Sequence, residues 1–312
     1  MTIQVTKEPI NLREKLNELE TNKGLKGNEI LQAETAQEVR SLIGAGRKNL
    51  IINGGFDVWQ RGTSFAASGA DIFSSDRWAI NSIGGTSRSV SQVFNTDTQS
   101  NALRVTLAAS GNVQIIQKIE GFKQFHNKSV TISFDVKSTV AATVYVGLRV
   151  YHSVGSASIQ NSSPTVSATM SRVSVTYNMG DLSSYTEDAN SAIRFEIQTG
   201  AGVSGEYIEF TNVQLELGSV ATDFEHRSYG EELALCQRYY QKIQGSTAVY
   251  VATSSTNSSR INGMWATTMR AAPTTATIDT DWTLSAFEDM YQAYNTPGGD
   301  HTFPSITADA EL

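Results

Sequence analysis

Acidic and histidine side chains are the residues that could support catalysis, and their positions form no known catalytic pattern. Asp135 and Glu196 each occupy a polar position in a segment of alternating apolar and polar residues. If these segments were neighbouring strands, the two carboxyl groups could face each other as in a glycosidase. The histidines show no metal-ligand spacing; they are His126, His152, His226 and His301. Because the sequence also has no G-x-S-x-G or P-loop motif, we expect no enzymatic activity.

A set of aromatic and charged residues is a better candidate for ligand binding. It lies at the polar positions of segments that alternate apolar and polar residues. Aromatic rings stack on sugar rings, while arginine and acidic groups bind hydroxyls. If the segments share a sheet, they form a glycan-binding site of Tyr145, Arg149, Tyr151, Asp135, Arg194 and Glu196. The alternatives are an intersubunit contact or an exposed face without a ligand.

Alternation dominates the sequence from Asn49 to Asn212, where it predicts about ten strands. No helical segment of 10–15 residues separates them, which excludes a βαβ architecture. We therefore predict a mainly β fold, a jelly-roll β-sandwich of two antiparallel sheets over residues 49–228. The apolar positions change parity between Phe210 and Val213, which predicts a β-bulge in between.

Large aromatic residues near the start of this region are predicted to anchor its core; they are Phe56, Trp59 and Trp78. The nearby Arg61 and Arg77 are expected to pair with aspartates at the end of the sandwich, namely Asp57, Asp71 and Asp76. With backbone carbonyls near Asn53, the same aspartates could instead bind a structural Ca²⁺ ion. Their spacing is not that of an EF-hand, so ordinary turn aspartates are the alternative.

The N-terminal 48 residues have helical patterning. Residues 10–20 carry one narrow apolar stripe, and a second helix is predicted from Glu29 to Ile43, before Gly44. A short helix of this kind is marginal alone, so we expect it to dock on another chain. The residues predicted to serve virion attachment or trimerisation are Leu12, Leu16, Leu19, Val39 and Leu42.

The sequence after the sandwich predicts a helix and then more strands. Ser228 and Glu231 have the spacing of a capping box, so a helix should begin there and extend to about Ile243. Its expected buried stripe is Leu233, Cys236, Tyr240 and Ile243. Strands are predicted at residues 247–253, 260–269 and 274–278, within a C-terminal β-element, residues 246–312. We expect that element to be exposed and completed by neighbouring subunits.

The composition is that of a folded, acidic protein. Apolar residues make up 39% of the chain and charged residues 18%, and the formal net charge is −7. This charge argues against nucleic acid or an anionic membrane as a partner. The single cysteine, Cys236, excludes an intrachain disulfide, and we expect it to be a small buried residue. No segment has the roughly 20 apolar residues of a membrane span.

Several motifs resemble those of bacteriophage virion proteins. LQAETAQEVRSLIGAG at residues 31–46 is similar to segments found in trimeric tail fibres. The motifs of the sandwich resemble the carbohydrate-binding-module-like jelly rolls of phage proteins; they are NLIINGGF (49–56), WQRG (59–62), DRW (76–78), VQLELG (213–218) and FEHR (224–227). In such proteins the domain is often followed by a segment like YGEELALCQRYY, here residues 229–240.

This resemblance implies a structural virion protein, which we predict to be a homotrimeric tail fibre or external appendage made in the host cytoplasm. Residues 1–48 would attach it to a tail adaptor, a nozzle or other virion proteins, and the sandwich would bind host-surface polysaccharide. One alternative is a capsid decoration or cement protein. A second alternative, from a different class, is a glycan-degrading tail enzyme.

Overall fold

The computed structural model describes residues 48–67, 71–83, 88–107, 111–140, 142–200, 205–243, 250–253, 258–278, 282–295 and 305–311. The described residues from Asn49 onward belong to one compact unit. The predicted attachment residues lie outside the described residues; they are Leu12, Leu16, Leu19, Val39 and Leu42.

Thirteen strands in the described chain form a two-sheet sandwich. They are β1 (Ser64–Ala67), β2 (Ile72–Phe73), β3 (Ala79–Ile83), β4 (Arg88–Asn95), β5 (Ser100–Thr106), β6 (Asn112–Glu120), β7 (Ser129–Ser138), β8 (Ala142–His152), β9 (Gly155–Ser162), β10 (Thr165–Val166), β11 (Ser171–Asn178), β12 (Ala192–Thr199) and β13 (Tyr207–Leu217). A 3-10 helix, Lys123–Phe125, lies between β6 and β7.

The strand order confirms the predicted jelly-roll β-sandwich. The first sheet has the order β1-β4-β5-β13-β7-β11, and the second sheet has the order β10-β8-β12-β6-β3-β2, with β9 also paired to β8. Neighbouring strands pair antiparallel. Successive strands often change sheet, as β7 to β8 and β11 to β12 to β13 do, so the core lies between two layers built from the whole sequence.

Alternating apolar residues fill the space between the sheets. Phe134 of the first sheet and Phe195 of the second are both fully buried. Trp78 is also fully buried, with its ring centroid 5.1 Å from that of Phe56 and 6.0 Å from that of Phe195. Trp59 is half-buried against this core. The aromatic residues are therefore core anchors, as predicted.

The segment that opens the sandwich docks on its last strand. The Leu50 amide donates to the Leu215 carbonyl (2.8 Å), and the Val213 amide donates to the Gly54 carbonyl (2.9 Å). A Cβ at Gly54 would lie 2.1 Å from the Val213 carbonyl oxygen, so only glycine permits this approach. In β13 the register shifts between Thr211 and Gln214, which confirms the predicted bulge.

The arginines at the end of the sandwich bind the C-terminal part of the chain. Arg61 lies 3.8 Å from Asp76, as predicted, but is closer to Asp309, at 2.9 Å. Arg77 pairs with Glu311 rather than with a nearby aspartate. These partners could not be predicted from the sequence, because they lie more than 230 residues away along the chain.

The aspartates do not fit the suggested Ca²⁺ site. Asp57 accepts a hydrogen bond from Asn101, Asp71 from Asn81, and Asp76 from the Gln60 backbone amide. The three carboxylates thus have separate partners. The described ranges contain no group of three or more His, Cys, Asp or Glu side chains able to hold a metal ion.

The helix after the sandwich is shorter than predicted. Helix α1 (Tyr229–Gln237) begins at the predicted capping box, with Ser228 as N-cap and Glu231 completing the box. The expected extension to Ile243 is wrong, because Tyr240–Ile243 forms strand β14 and pairs with β20 (Ile306–Asp309). Strand pairing with a distant segment overrides the local helical pattern. Cys236 is buried, as expected.

Seven strands follow α1 in the described chain, and they form two small sheets. Besides β14 and β20 they are β15 (Tyr250–Thr253), β16 (Ser258–Met264), β17 (Thr275–Ile278), β18 (Trp282–Ala286) and β19 (Met290–Asn295). The sheet orders are β14-β20-β17 and β15-β16-β19-β18. Trp282 and Tyr291, expected in an exposed element, are buried with Trp265 in a core of their own. No helix in the described ranges is long and apolar enough to cross a membrane.

Candidate functional site

The outer face of the second sheet brings together five of the six predicted binding residues. We call it the polar face and define it as Gln114, Lys118, Tyr145, Arg149, Tyr151, Arg194, Glu196 and Gln198. These residues alternate along β6, β8 and β12 with residues of the buried core. In the strand register Gln198 lies opposite both Tyr145 and Gln114, and Arg194 lies opposite both Arg149 and Lys118.

Arg194 is held at the centre of this face by three neighbours. Its Nη1 donates to the Tyr151 hydroxyl (3.1 Å), and its Nη2 donates to the Gln114 side-chain oxygen (3.0 Å). Its Nε lies 2.9 Å from a carboxylate oxygen of Glu196. Because these contacts fix the guanidinium before any ligand arrives, binding would not have to order it.

Tyr145 is the exposed aromatic residue of the polar face. Its relative exposure is 45%, whereas Tyr151 is half-buried and binds Arg194 through its hydroxyl. Beside Tyr145, the Gln114 amide donates to the Gln198 side-chain oxygen (3.3 Å). An exposed ring beside two carboxamides can stack on a sugar and bind its hydroxyls. Tyr151, in contrast, positions Arg194.

Gly147 shapes the centre of the face. A Cβ at this position would lie 2.6 Å from the Asn161 side-chain oxygen and 3.3 Å from Glu196 Cγ. Glu196 and Asn161 therefore occupy the space over the glycine backbone. A glycine within an alternating strand is a signal of such close approach, and it could have identified this position from the sequence.

Asp135 is not part of the polar face, and its assignment to the predicted site is wrong. It lies on β7 of the first sheet, where it accepts hydrogen bonds from Arg172 (3.2 Å) and Asn212 (2.7 Å). Asp135 and Glu196 point outward from opposite sheets, which pack about 10 Å apart. These two carboxyl groups therefore cannot flank one glycosidic bond.

The outer face of the first sheet carries charges that are neutralised internally. Arg104 donates to the buried Glu209 (2.9 Å), and Lys137 donates to Asp97 (2.7 Å). The hydrogen bond that Lys137 donates to Asp97 is the main cause that raises the pKa of Lys137. With Arg172 bound to Asp135, each of these three cations has its own carboxylate.

A small pocket borders the polar face at Lys118. It encloses about 60 Å³ and is lined by Asp71, Phe73, Arg77, Ala79, Ile116 and Lys118. Burial is the main cause that lowers the pKa of Lys118, and the charges of Arg194, Arg77 and Arg270 act in the same direction. Asp71 opposes them. Lys118 was not predicted from the sequence, because its neighbours depend on the pairing of β6 with β12. Its partner in that pairing, Arg194, lies 76 residues further along the chain.

Solved structures of other proteins are similar to about half of the chain. No protein-family model and no curated protein sequence matches it. A family 11 carbohydrate-binding module of a Clostridium thermocellum cellulase is similar over 51% of this chain and 97% of that one, with 17% identity and a TM-score of 0.33.

Two other solved structures are similar over a comparable length. The similarity to the enzymatically active domain of tailspike protein 4 of bacteriophage CBA120 extends over 55% of this chain and 21% of the tailspike chain, with 14% identity and a TM-score of 0.35. The similarity to a cyclase from Fischerella sp. TAU extends over 57% of this chain and 100% of the cyclase chain, with 13% identity and a TM-score of 0.39. The strand order of this chain is itself that of a mainly β protein with a jelly-roll sandwich. Its function has to be inferred from the polar face.

Proposed function

We propose that the chain is a non-catalytic glycan-binding protein and that the polar face is its binding site. The observation that carries this proposal is the exposed ring of Tyr145 beside the carboxamides of Gln114 and Gln198 and the fixed guanidinium of Arg194. These groups lie on three paired strands, which hold them more rigidly than loops would. A stacking surface with converging donors and acceptors is the chemistry that recognises a sugar.

The arrangement of the carboxylates supports a role without catalysis. Glu196 is the single carboxylate among the residues of the polar face, and it pairs with Arg194. Glycoside hydrolysis ordinarily needs two carboxyl groups on either side of the bond. Purified protein should therefore release no reducing ends from a polysaccharide that it binds. Release that disappears in Glu196→Gln would contradict this proposal and favour the glycan-degrading enzyme.

We propose further that the protein is a structural component of a bacteriophage virion, a homotrimeric tail fibre. The support is the set of motifs that resemble phage proteins, in particular residues 31–46 and the sequence that follows the sandwich. Residues 1–48 would attach the trimer to a tail adaptor or nozzle, and the polar face would bind host-surface polysaccharide. Virion cryo-EM tests this: a three-fold appendage on the tail is expected, whereas a position on the capsid shell would favour the decoration protein.

Glycan binding is tested with a matched pair of tyrosine variants. The full-length protein and Tyr145→Ala are applied to an array of bacterial surface polysaccharides. We expect the variant to lose most binding, since stacking on an aromatic ring contributes about 1 kcal/mol or more. Tyr294→Ala is the control, because Tyr294 is similarly exposed (42%) but lies on β19 of the C-terminal sheet. Equal losses in both variants, or no binding by the full-length protein, would contradict the proposal.

A further inference from the structure

Three basic residues form a row across the polar face. In the strand register Arg194 of β12 lies opposite Lys118 of β6 on one side and opposite Arg149 of β8 on the other. Neighbouring strands are about 4.8 Å apart, so the row extends over about 10 Å. Like charges placed directly opposite each other destabilise a sheet, and such a cost is retained where the charges serve a function.

The row is only partly neutralised by the protein itself. Glu196 pairs with Arg194, and the other contacts of Arg194 are with neutral groups. Arg149 donates to the Ser156 hydroxyl at 3.4 Å, which leaves its charge uncompensated. The Lys118 ammonium lies 5.3 Å from the centroid of the Tyr151 ring, and no described carboxylate forms an ion pair with it.

The pocket beside Lys118 strengthens the case for an anionic ligand. Half of its lining residues are apolar, namely Phe73, Ala79 and Ile116, so a charge inside it is less screened than on an open surface. Burial and the neighbouring guanidiniums lower the pKa of Lys118, which means that its surroundings disfavour the charged ammonium form. Asp71 lines the same pocket but already accepts a hydrogen bond from Asn81 (2.7 Å).

We propose that the row of Lys118, Arg194 and Arg149, together with the pocket at Lys118, binds the anionic substituent of an acidic sugar. This inference rests on the proposed glycan binding and names its substrate class. The neutral part of the ligand stacks on Tyr145, and its carboxylate, or an equivalent sulfate or phosphate, is directed toward Lys118 and Arg149. An anion at this position supplies the counter-charge that the row lacks.

The test uses chemically matched ligands. Hexuronic acid oligosaccharides, the same oligosaccharides with their carboxyl groups reduced to alcohols, and sulfated forms of the reduced product are titrated into the full-length protein. We expect the acidic oligosaccharide to bind at least tenfold more tightly than its reduced form, with an advantage that decreases as salt is added. Binding of the sulfated form as well would identify a general anion site, and its failure to bind would assign the site to carboxylates.

Variants with opposite expected effects make the inference specific. Lys118→Gln and Arg149→Gln should each weaken binding of the acidic oligosaccharide about tenfold, whereas Asp71→Asn should strengthen it a few-fold by removing a repulsive charge. If both Lys118→Gln and Asp71→Asn weaken binding, these groups bind neutral hydroxyls and the inference is wrong. Lys137→Gln is the control, since Lys137 lies on the first sheet and should leave affinity unchanged.

The same titrations separate this inference from the proposed function. Binding of a neutral oligosaccharide that depends on Tyr145 but not on Lys118 would overturn the anionic site and leave glycan binding in place. If neither the array nor the titrations give any binding, both the site and the proposed function are overturned.

Discussion

The two outer faces of the sandwich have similar numbers of charged residues but use them differently. On the first sheet, Arg104, Lys137 and Arg172 each bind a carboxylate of the same sheet or of an adjacent turn. On the second sheet, three cations lie in one row, and Glu196, two residues further along β12, pairs with Arg194. The first face therefore pairs its charges internally, whereas the second has unpaired cations, to which we assign the proposed ligand.

The lysines of the two faces show this difference most directly. Lys137 has its pKa raised, chiefly by the hydrogen bond to Asp97, so its surroundings favour the charged form. Lys118 has its pKa lowered, chiefly by burial, so its surroundings disfavour the charged form. A lysine whose charge the fold does not stabilise is a better candidate for binding an anion than one that the fold has already paired.

Removing one carboxylate from each face should give the largest difference in stability between the two faces. Glu209 is 2% exposed and receives hydrogen bonds from Arg104 and Asn95. Glu209→Ala should therefore lower the free energy of unfolding by about 3 kcal/mol, because it leaves a cation and an amide without a partner. Glu196→Ala removes a less buried pair and should cost about 1 kcal/mol. Urea unfolding at pH 7 measures both.

The glycan affinity of the same two variants is the complementary measurement. Glu209→Ala should leave it unchanged, because Glu209 lies on the opposite face from Tyr145. Similar losses of stability in both variants would remove the distinction between a self-neutralised face and a binding face.

A third group of charges, at the end of the sandwich, gives a pH-dependent contrast. Burial is the main cause that raises the pKa of Asp76 to about 6, while Gln60 and Arg61 act against it. Since this value lies above that of an unfolded aspartate, the folded protein binds the proton more tightly. The contribution of Asp76 to stability is therefore present below about pH 4 and is lost as the pH rises to about 6.

Asp76→Asn should remove this dependence. The free energy of unfolding of the variant, relative to that of the natural sequence, should increase between pH 4 and pH 7 by up to about 3 kcal/mol. Urea unfolding at intervals of half a pH unit measures the difference, in which other titrating groups cancel. A difference that is constant with pH would show that Asp76 is already well compensated by Arg61 and Gln60.

The sequence was sufficient for features that depend on local pattern. The alternation of β7, β8, β11 and β12, the bulge in β13 and the capping box of α1 are each encoded within a few neighbouring residues. The five residues of the predicted set that share one face belong to β8 and β12, whose alternating faces could be read directly from the sequence. Their pairing was an assumption that the register confirms.

Features that depend on distant pairing could not be predicted in this way. Asp135 was placed with the wrong face because β7 and β8 are adjacent in sequence but belong to different sheets. Lys118 and Gln114 join the site only through the pairing of β6 with β12. Likewise, β14 was predicted as helix because its partner, β20, follows more than 60 residues later. Long-range register, rather than residue type, limits the prediction of this site.

The smallest expected effect on stability comes from Gly147, and it sharpens the distinction between binding and folding. A Cβ at Gly147 meets the ends of two side chains, Asn161 and Glu196, which can move aside. Gly147→Ala should therefore change the free energy of unfolding by less than about 1 kcal/mol. Because Glu196 helps to hold Arg194, its displacement should weaken glycan binding about tenfold, a loss of about 1.4 kcal/mol. Calorimetric titration and urea unfolding measure the two quantities.

Gly263→Ala is the matched control, since this glycine also lies within a strand, β16 of the C-terminal sheet. There a Cβ would lie 2.3 Å from ring atoms of Tyr291, which is itself buried and cannot easily move. We expect this variant to lose stability by about 1–3 kcal/mol through overpacking, with unchanged glycan affinity. Gly147→Ala should thus reduce mainly the glycan affinity, and Gly263→Ala should reduce mainly the stability. If Gly147→Ala instead destabilises the protein as much as Gly263→Ala does, the arrangement of Asn161 and Glu196 serves packing, and the centre of the polar face is structural.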